Sequence, residues 1–368
     1  MAEPLLFISA GDPSGDNATS RLLAELKATH ATLRSFGLGG ERLKQLGQDQ
    51  LADRHDLAVL GFWEVVKKYT FFRNLMHRTI SEIETRKPSC ILLVDYPGFN
   101  LRLAKRIRHL GIPIVYYVSP QVWAWGGKRV SQIRELVDLM LVILPFEKSF
   151  YEGTGVKAEF VGHYLLEDIP HSFIRSPLPG NNQIALMPGS RHQEIERMLE
   201  PMCQAGAMFN RQYGTKAVIA GLRGRFDYEA IASKYAQDRI SVSYIDSRQV
   251  VYESDLVVTA SGTATLETGI IGRPMVIVYK TGSITYHIAR RLVRIDTIGL
   301  VNLVLGEKVV PELIQHDASP ERIYAELARF RDHADYLCRV KASLDTVPDT
   351  LVPPTGAKRA AELIANYL

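Results

Sequence analysis

Short apolar runs alternate with amphipathic stretches along most of this chain. Leu5–Ala10, Cys90–Val94, residues 112–118 and residues 139–144 are rich in Ile, Val and Leu and show little polar alternation. That is the pattern of strands buried on both faces. Residues 16–28, 61–86, 100–109 and 128–136 read as helices between them. Strand and helix in alternation predict a parallel sheet covered on both sides. Residues 167–183 interrupt the pattern with three prolines, a glycine and two asparagines, the composition of a linker. The alternation then restarts, with strands expected at 184–187, 217–220, 240–244, Leu256–Ala260 and Met275–Tyr279. A second Pro/Gly cluster at 348–356 sets apart a final helix at 357–367. The expectation is an α/β chain of two doubly wound, Rossmann-like domains facing a cleft. They span residues 1–170 and 183–347, and a terminal helix within 356–368 packs on the first domain or on a partner.

Length supports two domains, because 368 residues exceed the roughly 250–300 at which a single core stops growing. With 46% hydrophobic and 23% charged residues, disorder is excluded. Three cysteines without a C-x-x-C pair exclude a disulfide scaffold and suit a reducing cytosol. No apolar run approaches the roughly 20 residues of a spanning helix, and the opening Met-Ala-Glu-Pro-Leu-Leu lacks the marks of a signal peptide. A net charge of +4 is too small for a general nucleic-acid binder.

Ligands of open α/β sheets sit outside the carboxyl ends of the strands, so the loops there carry the candidate chemistry. The first strand runs into Gly11-Asp12-Pro13-Ser14-Gly15-Asp16. Here Ser14 or Asp16 caps the next helix or meets a ligand, and an ordinary turn is an equal reading. The loop is not G-x-G-x-x-G, so no dinucleotide site is implied. Asp95 follows Cys90–Val94, where a rigidly held carboxylate suits a general base, or simply serves the turn before Pro97. Tyr116 to Gly126 holds two tyrosines and two tryptophans, either a stacking or lipid-contacting wall or a packed cluster. In the second half, Gly189, Ser190 and Arg191 precede a helix, offering backbone N–H groups, a hydroxyl and a cation to a phosphate. Ser261, Gly262, Thr263 and Thr265 form a second anion cradle, with Glu267 one turn on to accept the hydroxyls of a ribose. Two such loops in one half point to a nucleotide.

Tyr-Tyr-Val-Ser-Pro-Gln-Val-Trp-Ala-Trp (116–125), Pro-Phe-Glu (145–147), Phe-Val-Gly-His (160–163), Pro-Gly-Ser-Arg (188–191), Ala-Ser-Gly-Thr-Ala-Thr-Leu-Glu (260–267), Pro-Met-Val (274–276) and Val-Pro-Glu-Leu-Ile-Gln (310–315) occur in this order. Together they resemble the lipid-A-disaccharide synthase family across nearly the whole chain. The resemblance implies a GT-B glycosyltransferase that needs no metal or other cofactor. It would join UDP-2,3-diacylglucosamine to 2,3-diacylglucosamine 1-phosphate (lipid X), as a monomer or homodimer at the inner face of the cytoplasmic membrane. Asp95 would then be the base. Gly189, Ser190, Arg191, Ser261, Gly262, Thr263, Thr265 and Glu267 would bind the nucleotide. Ser14, Asp16, Ser119, Gln121, Asn302 and Gln315 would contact substrate. The chain departs from the common family form at Asp12, where Glu is usual, at Gly98, where many members carry a second Asp, and at Val301, where Pro is common before Asn302.

Charge is unevenly spread. Residues 57–78 carry four basic residues, one acid and five aromatics. Lys67, Lys68, Phe71, Leu75 and Arg78 share a helical face on which apolar groups among cations fit an anionic lipid surface; a helix packed on both sides is the plainer reading. Arg290, Arg291 and Arg294 form a second basic patch, for a phosphate, a headgroup or water. Two other functions compete: an epimerase-like enzyme acting on soluble UDP-sugars, which the aromatic and basic segment disfavours, and an inactive membrane-associated homologue, which retention of Asp95, Arg191 and Glu267 disfavours.

Overall fold

The computed structural model describes residues 3–11, 13–53, 69–125, 127–282, 297–353 and 355–368. The chain forms two compact units, Met1–Glu167 together with Leu351–Leu368, and Asp168–Thr350.

In the first unit, seven parallel strands are ordered β3-β2-β1-β4-β5-β6-β7. These are β1 (Leu5–Ala10), β2 (Arg34–Gly39), β3 (Asp49–Asp53), β4 (Cys90–Val94), β5 (Ile114–Tyr117), β6 (Leu139–Val142) and β7 (Ala158–Phe160). The four expected from apolar runs, β1, β4, β5 and β6, lie side by side in the sheet, where helices cover both faces. Sequence reading passes over the others for physical reasons. Two glycines dilute the apolar run of β2, while β3 and β7 are short, polar edge strands. Helix Tyr69–Arg86 buries Leu75, Met76 and Ile83 in the core of this unit, against Phe36, Leu38 and Phe99 among others.

Six parallel strands build the second unit in the order β10-β9-β8-β11-β12-β13. They are β8 (Gln183–Met187), β9 (Lys216–Ala220), β10 (Ile240–Ser243), β11 (Leu256–Ala260), β12 (Met275–Tyr279) and β13 (Glu312–Ile314). Every residue of β8 and β11 is buried. β13 is not expected from the sequence, being three residues long and carrying a buried glutamate.

Residues 168–182 are not a free linker. Arg175 N donates to Ile270 O at 3.0 Å, Arg273 Nη1 to Ser176 O at 2.8 Å and Gly180 N to Asp255 Oδ1 at 2.7 Å. These bonds fasten the segment to the second unit, so the division falls after Glu167 rather than at 170. The last helix, Gly356–Ala365, lies on Pro13–Thr29 of the first unit. Its buried face is Ala357, Ala360, Ala361 and Ile364, small enough for close approach, and Ala357 N donates to Glu167 Oε1 at 2.9 Å.

Each strand order reverses direction once, and that is where an open sheet leaves a crevice for ligand. In the first unit the reversal lies between β1 and β4, whose ends Ala10 and Val94 are in register. In the second it lies between β8 and β11, with Met187 opposite Thr259. The chain leaves these four strand ends at Gly11, Asp95, Pro188 and Ser261.

Candidate active site

Asp95 and Tyr96 both have left-handed backbones, at φ 42° and 48°. Such conformations cost a non-glycine residue about 1–3 kcal/mol each and need external support. Three side chains supply it. Asn100, fully buried, donates through Nδ2 to Asp95 O at 2.8 Å and to Val94 O at 3.1 Å, and Ser9 Oγ donates to Asn100 Oδ1 at 2.6 Å. Tyr116 Oη donates to Asp95 O at 2.5 Å. The backbone bearing the Asp95 carboxylate is therefore tied to β1, β4 and β5 at once. Gly11 completes the junction. A Cβ there would lie 2.6 Å from the ring of Tyr96, which stacks on Phe99 at 6.0 Å.

Ser119 and Asp16 each have a partner within the fold. The buried Ser119 hydroxyl pairs with Tyr151 Oη at 2.8 Å. Asp16, 2% exposed, accepts from Gly40 N at 2.8 Å and so anchors the end of β2. Gln121 is exposed and makes no side-chain hydrogen bond among the described residues. Asp12 and the side chain of Ser14 lie outside the described residues, as do Lys67, Lys68, Arg290, Arg291 and Arg294. Of the expected lipid-facing pair, Phe71 is 36% exposed but Leu75 only 5%. Leu75 is a core residue, which corrects its assignment to the membrane face. His163 is buried without an acidic partner among the described residues, and burial lowers its pKa to about 3, so it stays neutral.

In the second unit, the two phosphate-type loops meet at the reversal. Gly189 has φ 101°, and a Cβ there would lie 3.4 Å from that of Ala260 and 2.9 Å from Glu194 Oε2. Arg191 caps helix His192–Tyr213 and pairs with Glu194 at 2.6 Å, its side chain 63% exposed. Ser190 and Thr263 are exposed. Ser261 Oγ donates to Ile298 O at 2.9 Å, while the buried Thr265 hydroxyl donates to Gly262 O at 2.8 Å and shapes the start of helix Thr263–Ile271. The Thr265 hydroxyl is thus engaged with the first turn of its own helix. Glu267 forms an ion pair with Arg248, which also donates to Asp168 O at 3.1 Å. Burial raises the Glu267 pKa while Arg248 opposes the rise.

Asn302 and Gln315 are likewise bonded within the fold. Fully buried, Asn302 donates to Val310 O at 3.0 Å and Glu312 Oε1 at 2.8 Å, and accepts from Val309 N and Val310 N, each at 3.0 Å. Glu312 in turn accepts from Ile298 N and Gly299 N, both at 2.9 Å. This network holds the segment whose Ile298 carbonyl receives the Ser261 hydroxyl. Gln315 pairs both ends of its amide with the backbone of Thr281, at 3.2 and 3.3 Å.

Sequence reading missed Arg248, Glu312, Glu147 and Lys280. Lys280 follows β12, the neighbour of β11, half-buried and without a carboxylate partner among the described residues; burial lowers its pKa. Its place directly after a strand was the available signal. For the others, only the tertiary partner reveals the role.

A family model described as Lipid-A-disaccharide synthetase matches residues 6–342. The chain is 41% identical over 374 residues to a lipid-A-disaccharide synthase of Anaeromyxobacter dehalogenans (strain 2CP-C), covering 99% of this chain and 97% of that protein. Among solved structures, the glycotransferase of kitacinnamycin matches with a TM-score of 0.67 at 14% identity, over 100% of both chains. UDP-GlcNAc 2-epimerase from Neisseria meningitidis, bound to UDP-GlcNAc, matches with a TM-score of 0.62 at 12% identity, over 98% of both. The fold is GT-B. Likeness at such identities does not separate transferase from epimerase; the family match does.

Proposed function

The chain belongs to the lipid-A-disaccharide synthetase family, and from that membership we propose how its residues divide the reaction. It is a glycosyltransferase that joins UDP-2,3-diacylglucosamine to 2,3-diacylglucosamine 1-phosphate, forming the β(1→6) lipid A disaccharide and releasing UDP.

Asp95 is the base. It takes the proton of the acceptor 6-hydroxyl as that oxygen bonds to the anomeric carbon. The bond from that carbon to the diphosphate breaks on the opposite face, and its electron pair leaves with UDP, which inverts the centre. The observation that carries this reading is the Asp95 backbone, held in a costly left-handed form by Asn100 and Tyr116 at the sheet reversal of the first unit. Strain of this kind persists where the surroundings over-determine it, and a base needs a fixed position more than it needs mobility.

The second unit binds the nucleotide. Backbone N–H groups at the starts of helices His192–Tyr213 and Thr263–Ile271, with Arg191 and Lys280, stabilise the departing diphosphate. Glu267 accepts the ribose hydroxyls. The exposed Phe71, with Lys67 and Lys68 close in sequence, touches the anionic inner face of the membrane from which both acylated substrates are drawn. No helix among the described residues is long and apolar enough to cross that membrane.

The test is turnover of the two diacylglucosamine substrates by purified Asp95→Asn protein. We expect disaccharide formation to fall about 10³-fold while calorimetric UDP binding is retained. Undiminished turnover would remove Asp95 as the base.

A further inference from the structure

Glu147 stands outside the residues assigned above, and its setting is uncommon for a carboxylate. It is 2% exposed. Oε1 accepts from Trp123 Nε1 at 3.1 Å, and Oε2 accepts from Leu144 N at 3.0 Å. No cation pairs with it among the described residues. The ring of Trp123 meets Phe146 edge-on, at 5.0 Å and 89°. Consecutive residues of helix Pro145–Tyr151 thus hold one indole, Phe146 by its ring and Glu147 by its N–H.

Because β4, β5 and β6 are neighbours, the loops leaving their carboxyl ends lie side by side. The first bears Asp95, the second Trp123, the third Glu147. Burial pushes the Glu147 pKa up to about 7, and the charge on Asp95 adds to the rise. Other titratable or charged groups of this cluster are Tyr116, Tyr151 and Arg129. Burial raises both phenols, Tyr151 to about 12, so they stay neutral near pH 7. Arg129 is exposed to solvent. Asp95 and Glu147 are thus two carboxylates on neighbouring loops, Asp95 half-buried and Glu147 enclosed in a medium of low polarity.

We propose that Glu147 is a positioning residue for the transfer: it fixes the Trp123 indole as a wall beside Asp95, and its negative charge strengthens Asp95 as the base. The proposal deepens the functional reading above and rests, in its second half, on Asp95 being that base. Like charges in low dielectric raise each other's proton affinity, and an alcohol needs a stronger base than a solvated aspartate. A glutamine keeps a single acceptor oxygen, which can stay on Trp123 Nε1 at the cost of the Leu144 N bond, so holding the indole does not by itself require a charge. Glu147→Gln therefore separates the two roles.

Two measurements test it on the full-length protein. Trp emission followed from pH 5 to 9 should titrate with a midpoint near 7 in the wild type and should lose that transition in both Trp123→Phe and Glu147→Gln. Steady-state kinetics should give Glu147→Gln a kcat about 10-fold lower, with the acid limb of its pH profile moved to lower pH and the acceptor KM within about twofold. Glu147→Ala should raise the acceptor KM as well, because the wall is lost. An emission transition that persists in Glu147→Gln would overturn the hold on Trp123. A wild-type kcat and acid limb in Glu147→Gln would overturn the electrostatic half. If Asp95→Asn stays active, the base assignment and that half fall together, and the emission titration still decides the hold on Trp123.

Discussion

Arg248 sends two donors, Nε at 2.9 Å and Nη2 at 2.6 Å, to one and the same oxygen of Glu267. Oε2 is left without a donor among the described residues. The arginine thus steadies the carboxylate and offsets part of the rise that burial gives its pKa, while one lone-pair edge stays open to hydroxyls. Both side chains are largely buried, at 22% and 16% exposure. Arg248→Met leaves a carboxylate without its partner. Unfolding in urea should show a loss of about 2–3 kcal/mol, somewhat under the value for a fully buried pair. UDP affinity should fall about 10-fold.

Asn100→Ala removes the bonds to Val94 O and Asp95 O and leaves the Ser9 hydroxyl without its acceptor. The expected destabilisation is about 3 kcal/mol. Turnover should fall at least tenfold even at temperatures where the variant is fully folded, since Asp95 can then relax out of its left-handed backbone. Unchanged kcat in a folded Asn100→Ala protein would mean the strain serves no purpose in the reaction.

Arg191 is exposed and its partner lies one turn along the same helix, so little of the fold depends on it. Arg191→Ala should melt within about 1–2 °C of the wild type. Donor affinity should nevertheless drop about 10- to 100-fold, the worth of a charge-assisted contact to phosphate. Calorimetry with UDP reads this directly.

Phe71 and Leu75 are one helical turn apart but face different surroundings. Phe71→Ser should reduce sedimentation with anionic liposomes and leave the melting curve nearly in place. Leu75→Ser should do the reverse, costing about 2–4 kcal/mol as a polar group replaces a core leucine.

Glu147 also makes a pH signature in stability. Its folded-state pKa, about 7, lies above the ordinary 4.5 of the unfolded chain. Between those values the folded protein binds the extra proton, so stability falls as pH rises through the window and levels off above it. The fall is about 3 kcal/mol. Urea midpoints of the wild type and Glu147→Gln, compared at pH 5 and pH 8, should diverge by that order in favour of the variant at pH 8.

The sheets were legible where burial is two-sided. β4 is apolar throughout and β1 and β11 each hold one small buried hydroxyl residue, whereas β2 is broken by glycines and β13 carries Glu312. Loops after strands were legible too, because topology alone puts Asp95, Arg191 and Ser261 at the ligand end. Polar residues inside recognisable motifs were legible only in part. Asp16, Ser119, Asn302 and Gln315 stand out in a string of letters, but each also has a partner within the fold, and a sequence does not display its hydrogen-bond partners. Glu147 shows the converse, since only its tertiary surroundings distinguish a surface glutamate from a buried one near neutrality.

The helix Gly356–Ala365 lies on Pro13–Thr29, which makes the second unit an insertion within the first. A ribosome therefore delivers the whole second unit before the helix that packs back on the first. The first unit is finished only when Gly356–Ala365 emerges, and the face of Pro13–Thr29 that it covers stays open until then. Losing Gly356–Ala365 would strike the first unit, although that helix is encoded after the whole of the second.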